Sequence, residues 1–294
     1  MNIYDQVKWN KTKSYLVMSL FLLIISFLGW VIGLFYGNAL IGFLFAFIAA
    51  IIYSLIAYAQ GQNIILKATG AREVTKQEYP HLFHTIEGLA IAANIPTPKA
   101  YVIDDQALNA FATGKDPNNS SITVTKGLLE KLNRQELEGV IAHEMSHIKN
   151  YDIRMMLLTT VMVGIIILLS DILLHSFLWG RSDDREGNQL TIIFIVIGVL
   201  LAILSPFIGQ LIQLAVSRKR EYLADSNGAL LTRNPEGLAS ALEKISKHAD
   251  LKQANKATAH LFISSPFKNT KGFIANLFST HPPIEDRIKE LRKM

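Results

Sequence analysis

The chain has 294 residues, half of them hydrophobic, with 29 basic side chains, 24 acidic ones and no cysteine. A mean hydropathy of +0.27 is too apolar for a typical soluble domain. The missing cysteines exclude disulfides and thiolate metal knuckles, and a net charge of +5 without a basic, aromatic-studded face argues against nucleic acid as a partner.

No residue between Ser14 and Leu66 is charged. As one helix this run would be ~80 Å long against a hydrocarbon core of ~30 Å, so it must fold back. Gly37-Asn38 is the natural turn, giving spans near Tyr15–Tyr36 and Ala39–Tyr58. A cleaved signal peptide would be shorter and would not be followed so closely by a second span.

The next stretch is mixed in polarity. Tyr79–Asn94 predicts an amphipathic helix with Leu82, Ile86, Leu89 and Ala93 on one side, broken by Pro96 and Pro98. Ala100–Ile103, Ala110–Gly114 and Ser121–Thr125 read as strands, with turn chemistry at Lys115–Asn119. An exposed edge of this small sheet would suit an extended substrate bound by main-chain pairing; equally, the sheet would merely support the helix after it. His81 and His84 have no carboxylate in a metal pattern and read as surface residues.

That helix carries His143-Glu144-Met145-Ser146-His147. Asn133 is a plausible N-cap with Glu136 three residues on, and Leu137, Val140 and Ile141 form a buried stripe, so the motif has a helical setting. Residues four apart share a helix face, so both imidazoles can aim at one ion while Glu144 serves as base for a water. Asn150 and Ile153 stand where one known variant places Gly and a third His, which excludes that variant. The candidate third ligand is Glu221, whose alternative is a solvated carboxylate in the basic run Arg218–Arg220. Asp225, one turn on, is placed to accept the free N–H of a ligating His.

Met155–Trp179 and Leu190–Val216 predict two further spans around a polar loop, Arg181–Glu186. Asp171 and His175 fall near the far interface, within reach of water, and Pro206 predicts a kink. Lys and Arg crowd one side: Lys8, Lys11 and Lys13 before the first span, Lys67, Arg72 and Lys76 after the second, and Lys149, Arg154 and Arg218–Arg220 around the later two. The positive-inside rule puts both termini and the motif in the cytoplasm of a cell-membrane protein, with Glu221 on the same face as the histidines. Leu230–His248 predicts a helix and Ala249–Gly272 a loop or lid. His281–Arg287 opens a last helix with Pro in its first turn, and His248 and His260 read as ordinary surface or packing residues.

The expected fold is mainly α: a four-span helical membrane protein with a cytoplasmic, zincin-like α+β catalytic domain holding a small sheet. Residues 1–66 form the tail and first hairpin and 155–216 the second pair of spans; 67–154 and 217–294 combine into one catalytic body.

Together the hairpin, Asn109–Gly114, His143–His147, the two later spans, Glu221–Asp225 and His281–Arg287 resemble the HtpX family of membrane-bound zinc endopeptidases, relatives of the CAAX prenyl proteases. The resemblance implies one zinc ion held by His143, His147 and Glu221, with Glu144 catalytic and Asp225 behind the ligands. It implies His281 and Arg287 at the active site, and Asn109, Ala110, Phe111 and Ala112 as a substrate-binding edge. His281 would stabilise the oxyanion. Expected partners are the lipid bilayer and membrane-protein or unfolded polypeptide substrates, in quality control. A dedicated processing protease of CAAX type and a non-catalytic, zinc-stabilised membrane protein are the alternatives.

Overall fold

A computed structural model describes residues 3–179, 218–247, 258, 261–264 and 282–294. The expected fourth span, loop 181–186, Pro206, His248, His260, His281 and the side chains of Asp171 and His175 lie outside the described residues.

Two long helices, α1 (Ile3–Phe35) and α2 (Ala39–Ala68), form the expected hairpin. Gly37 turns the chain at φ +80°, and the Asn38 side chain accepts a hydrogen bond from Ile41 N at 3.1 Å, capping α2. Both helices outrun the expected spans, α2 by ten residues beyond Tyr58. Packing sustains that extension: Ala57, Gly61 and Ile65 are buried, and a Cβ on Gly61 would meet Leu157. The seam between α1 and α2 is built on hydrogen-only positions. A Cβ on Gly33 would lie 2.7 Å from the Asn38 carbonyl oxygen, and one on Gly42 would lie 2.7 Å from Gly33 Cα. Stretches Lys8–Leu34 and Ala39–Ala68 are long and apolar enough to cross a membrane, and Phe45, Ile48, Ile52 and Leu55 face outward from them.

The sheet is mixed, ordered β1 (Arg72–Glu73), β2 (Lys99–Ile103), β4 (Asn119–Thr125), β3 (Ala110–Asp116). β2 runs parallel to β4, while β1 pairs antiparallel with β2 and β3 with β4. The three expected strands are present and slightly longer; β1, two exposed residues, is too short to show an alternation. Asp116 closes the β3–β4 turn by accepting from Asn119 N at 2.9 Å. Helix α3 (Pro80–Ala93) buries the four expected residues and ends at Asn94 in the left-handed region. A short α4 (Lys126–Lys131) follows β4.

Helix α5 (Arg134–Lys149) starts on a full capping box between Asn133 and Glu136, and Leu137, Val140 and Ile141 are buried as expected. Beyond Asn150 the chain bends by 84° through Tyr151, at φ +60°, into α6 (Asp152–Trp179), which contains the expected third span. The later helices are α7 (Arg218–Thr232), α8 (Pro235–Lys247) and α9 (Ile284–Leu291). Two expected boundaries are corrected here. Leu230–Thr232 close α7, because Arg233 at φ +52° breaks the helix and Asn234 Oδ1 accepts from Gly237 N to start α8. Pro282 and Pro283 precede α9, with Pro283 as its N-cap at an extended ψ of 132°.

The molecule is thus mainly helical with a small mixed sheet. One core joins the sheet to α3, α5, α8 and α9 through Leu82, Ile122, Ile141, Met145, Leu242 and Leu291. A second joins the hairpin to α6 through Phe21, Ala57, Ile65 and Leu158. Strand β3 separates them, with Ala110 and Ala112 in the first and Phe111 in the second, the two-residue period of a strand.

Candidate active site

Helix α5 sets His143 and His147 one turn apart with their Nε2 atoms 3.2 Å from each other. Each ring is held from behind by a carboxylate: Asp225 Oδ1 lies 2.9 Å from His143 Nδ1, and Asp152 Oδ2 lies 3.0 Å from His147 Nδ1. An ionised carboxylate only accepts, so both Nδ1 atoms carry the proton and donate it. The two Nε2 atoms then face each other, an arrangement that needs positive charge between them, either a proton or a metal ion. Glu221 completes the group, with Oε1 3.5 Å from His147 Nε2 and Oε2 3.8 Å from His143 Nε2. Close packing of α7 on α5 delivers it: a Cβ on Gly228 would sit 3.1 Å from His143 N, and Asn227 Nδ2 donates to Ser146 Oγ at 3.2 Å.

The donor set fits a divalent metal. All three ligand atoms lie within 4.8 Å of one another in a buried site, and no other such group occurs among the described residues. Two nitrogens on a tetrahedral zinc with bonds of ~2.0–2.1 Å would be ~3.3 Å apart, close to the separation observed. Charge points the same way. Buried Glu144, Asp152, Glu221 and Asp225 crowd the two rings, with the guanidiniums of Arg220 and Arg287 beside them, a field that favours positive charge at the Nε2 atoms. A divalent ion would supply that charge.

Titration reflects the same field. Burial would lower the pKa of His147, but the Asp152 hydrogen bond and the charges of Glu221, Asp152 and Glu144 outweigh it and push the ring up to about 9. Burial raises Glu144 above the ordinary carboxylate range, against the two imidazoles and a hydrogen bond from the Ala112 N–H. A carboxyl tuned upward in this way is suited to taking and returning a proton near neutral pH. Asp225 shows the reverse: burial raises it, yet Arg287 and His143 bring it down to about 2. The Arg287 fork donates to both Asp225 oxygens, at 2.8 and 2.6 Å, and stands 3.4 Å from Glu221 Oε2. Burial disfavours the fully enclosed Arg287 cation, but Asp225 more than compensates and raises its pKa.

The structure therefore gathers His143, Glu144, His147, Glu221, Asp225 and Arg287 into one buried cluster; His281 lies outside the described residues. The Asn109–Ala112 segment borders the cluster on the edge strand β3, but it is buried rather than exposed. Part of that edge is taken by the chain itself: Ile263 N donates to the Ala110 carbonyl at 3.0 Å, and Asn109 Nδ2 donates to the Ser264 carbonyl at 3.0 Å. Phe262 meets Phe111 edge-on at 5.1 Å, and Arg287 Nη1 donates to the Ile263 carbonyl at 3.2 Å. Within the segment expected to be a loop or lid, Leu261–Ser264 is thus packed, because its three apolar side chains have two cores to fill.

Sequence reasoning missed Asp152, and with it the residues that hold Asp152: Asn10 Nδ2 at 2.7 Å and Arg220 Nη1 at 3.2 Å, both on Oδ1. The available signal is an acidic residue five positions after His147, just past the helix break at Asn150-Tyr151. Arg220, within a basic run beside a span, reads in sequence only as a marker of membrane orientation.

What these helices assemble is a buried His-His-Glu group of the kind that could hold a metal ion, and the chain is a metallopeptidase. Residues 76–294 match Peptidase family M48, and the chain belongs to that family. It is 50% identical over 293 residues to the Protease HtpX homolog of Dictyoglomus thermophilum, covering 99% of this chain and 94% of the relative. The Protease HtpX homolog of Caldanaerobacter subterraneus subsp. tengcongensis is 44% identical over 296 residues, covering 99% and 98%. Among solved structures, the crystal structure of S. mikatae Ste24p matches at a TM-score of 0.49 and 21% identity, spanning 94% of this chain and 62% of that one.

Proposed function

We propose that this M48 peptidase is a zinc-dependent endopeptidase, with His143, His147 and Glu221 as the residues that hold the ion. The observation that carries the reading is the pair of Nε2 atoms 3.2 Å apart, with the Glu221 carboxylate beside them. When bound, zinc supplies a Lewis acid and makes a water acidic enough to be deprotonated near neutral pH. Glu144 is the base that takes that proton and later passes it to the leaving amine. Asp225 and Asp152 hold the two rings in the tautomer that presents Nε2, and Arg287 keeps Asp225 ionised. Ala112, whose N–H lies at Glu144, borders the path of the substrate backbone along β3. His281, set at the active site by the family resemblance alone, is the candidate oxyanion donor.

The substrates are membrane proteins or unfolded polypeptides whose cytoplasmic segments reach the site, cleaved in quality control. The hairpin and the basic residues flanking it support this orientation, with the centre at the inner membrane surface. The test is to purify the chain in detergent, count bound zinc, and follow cleavage of an unfolded polypeptide with and without chelator. One zinc per chain and chelator-sensitive cleavage are expected. Glu144→Gln should keep the metal and lower kcat by about 100- to 10,000-fold. Cleavage by that variant at the unchanged rate overturns the assignment of the base.

A further inference from the structure

The family match begins at residue 76 and contains every proposed metal ligand, yet one of those ligands is oriented from outside it. Asn10, on α1, is buried, and its amide donates both to Asp152 Oδ1 at 2.7 Å and to the Asn150 carbonyl at 3.0 Å. These two acceptors flank the 84° bend between α5 and α6. The bend itself passes through Tyr151 at φ +60°, a region that a bulky residue occupies only when its surroundings hold it there. The same carboxylate offers its other oxygen, Oδ2, to His147 Nδ1. Asn10 and Arg220 thus pin one edge of Asp152 while His147 uses the other.

We infer that Asn10, on the first membrane helix, is a positioning residue of the metal centre: it fixes Asp152, and through it the rotation and tautomer of His147. The hairpin then acts as more than an anchor, since the ligand geometry is complete only when α1 is docked on the α5–α6 bend. A plain packing role would need no amide bonded to the carboxylate that orients a metal ligand. Nor would it place that amide across the junction where the motif helix ends. This inference rests on the proposed metal centre. Partners that orient a ligating His change metal affinity by about 10- to 100-fold when removed, and Asn10, one bond further out, belongs at the lower end, about tenfold.

The experiment uses the full chain in detergent and compares it with Asn10→Leu, which keeps the branched shape and loses the amide. Asp152→Asn is the stronger reference, and Val17→Ala loosens α1 packing without touching Asp152. Three quantities are read: zinc affinity by chelator competition, the visible absorption spectrum of the cobalt-substituted protein, and kcat and KM separately. Asn10→Leu should weaken zinc binding about tenfold, shift the cobalt spectrum and lower kcat at constant KM. Val17→Ala should lower the melting temperature and leave the spectrum unmoved. A folded Asn10→Leu with unchanged zinc affinity and cobalt spectrum overturns the inference. If Asn10→Leu does not fold, Asn10→Ser, polar but too short to reach Asp152, is judged by the same two outcomes. Failure of the unchanged chain to bind zinc would instead remove the metal centre itself, and this inference with it.

Discussion

The two histidines of one helix turn are served by different parts of the molecule. Behind His143 stand Asp225 and Arg287, from α7 and α9, wholly within the body built around the sheet. Behind His147 stand Asp152, Asn10 and Arg220, where the first hairpin, the α5–α6 bend and the start of α7 meet. The first arrangement is a bidentate ion pair sealed from solvent; the second is a carboxylate shared among an amide, a guanidinium and a ring. In the proposed metal centre, one ligand is therefore set by the body around the sheet and the other by the docking of a helix of the hairpin. The same metal centre reports on both.

The largest way to break this symmetry is Arg287→Met. It leaves Asp225 charged, buried and short of its main partner, a loss of about 3–5 kcal/mol for a broken buried pair. Thermal unfolding should show the drop with or without zinc, and a melting temperature within a degree of the parent would mean the pair is idle. Next come Asp225→Asn and Asp152→Asn compared side by side. Each should weaken zinc binding by about 10- to 100-fold. Only the Asp152 change should make the centre indifferent to further loss of Asn10, because the amide then has no carboxylate to hold. Additive losses in the Asp152→Asn, Asn10→Leu double variant would separate the two residues.

The smallest effect is also the most specific to the hairpin side. In chelator-treated chain, His147 should titrate at about 9 instead of 6.5. Its raised pKa means that proton binding stabilises the metal-free fold fully below pH 6.5, a contribution lost as pH rises through about 9. Zinc must displace that proton. Apparent zinc affinity should therefore climb about tenfold per pH unit up to about pH 9, with one proton released per ion, as calorimetry in buffers of different ionisation heat can count. Asp152→Asn removes the main hydrogen bond that lifts His147, so proton release should fade at lower pH. Release independent of pH between 7 and 9 would contradict the field described here.

How much of this was legible in the chain depended on sequence distance. His143 and His147 are four apart and Glu221 and Asp225 again four apart, so a helix projects each pair onto one face without knowledge of the tertiary fold. The uncharged run from Ser14 to Leu66 likewise has few physical solutions. Asp152 sits past a break that periodicity does not foresee, since Tyr151 is an unexpected residue at positive φ. Asn10 is 142 residues from its partner, and one polar residue ahead of a hydrophobic run reads as a helix end, not as a claim on a remote carboxylate. Two-residue β1 and the break at Arg233 fall below the length over which a pattern can be seen. The packed Leu261–Ser264 was hidden for the opposite reason: its polar surroundings in sequence outweighed three apolar residues that close two cores.

The seam at Gly33 and Gly42 gains weight from what α1 carries at its other end. Asn10 and Gly33 are ~35 Å apart along one rigid rod, so a wedge at the tip swings the base. Tolerance to substitution should trace a narrow forbidden line along this inner stripe, while the outward Phe45 and Leu55 accept almost any oily replacement. Damage scored at the hairpin tip would then surface as a poorly metallated protease rather than as a misplaced one.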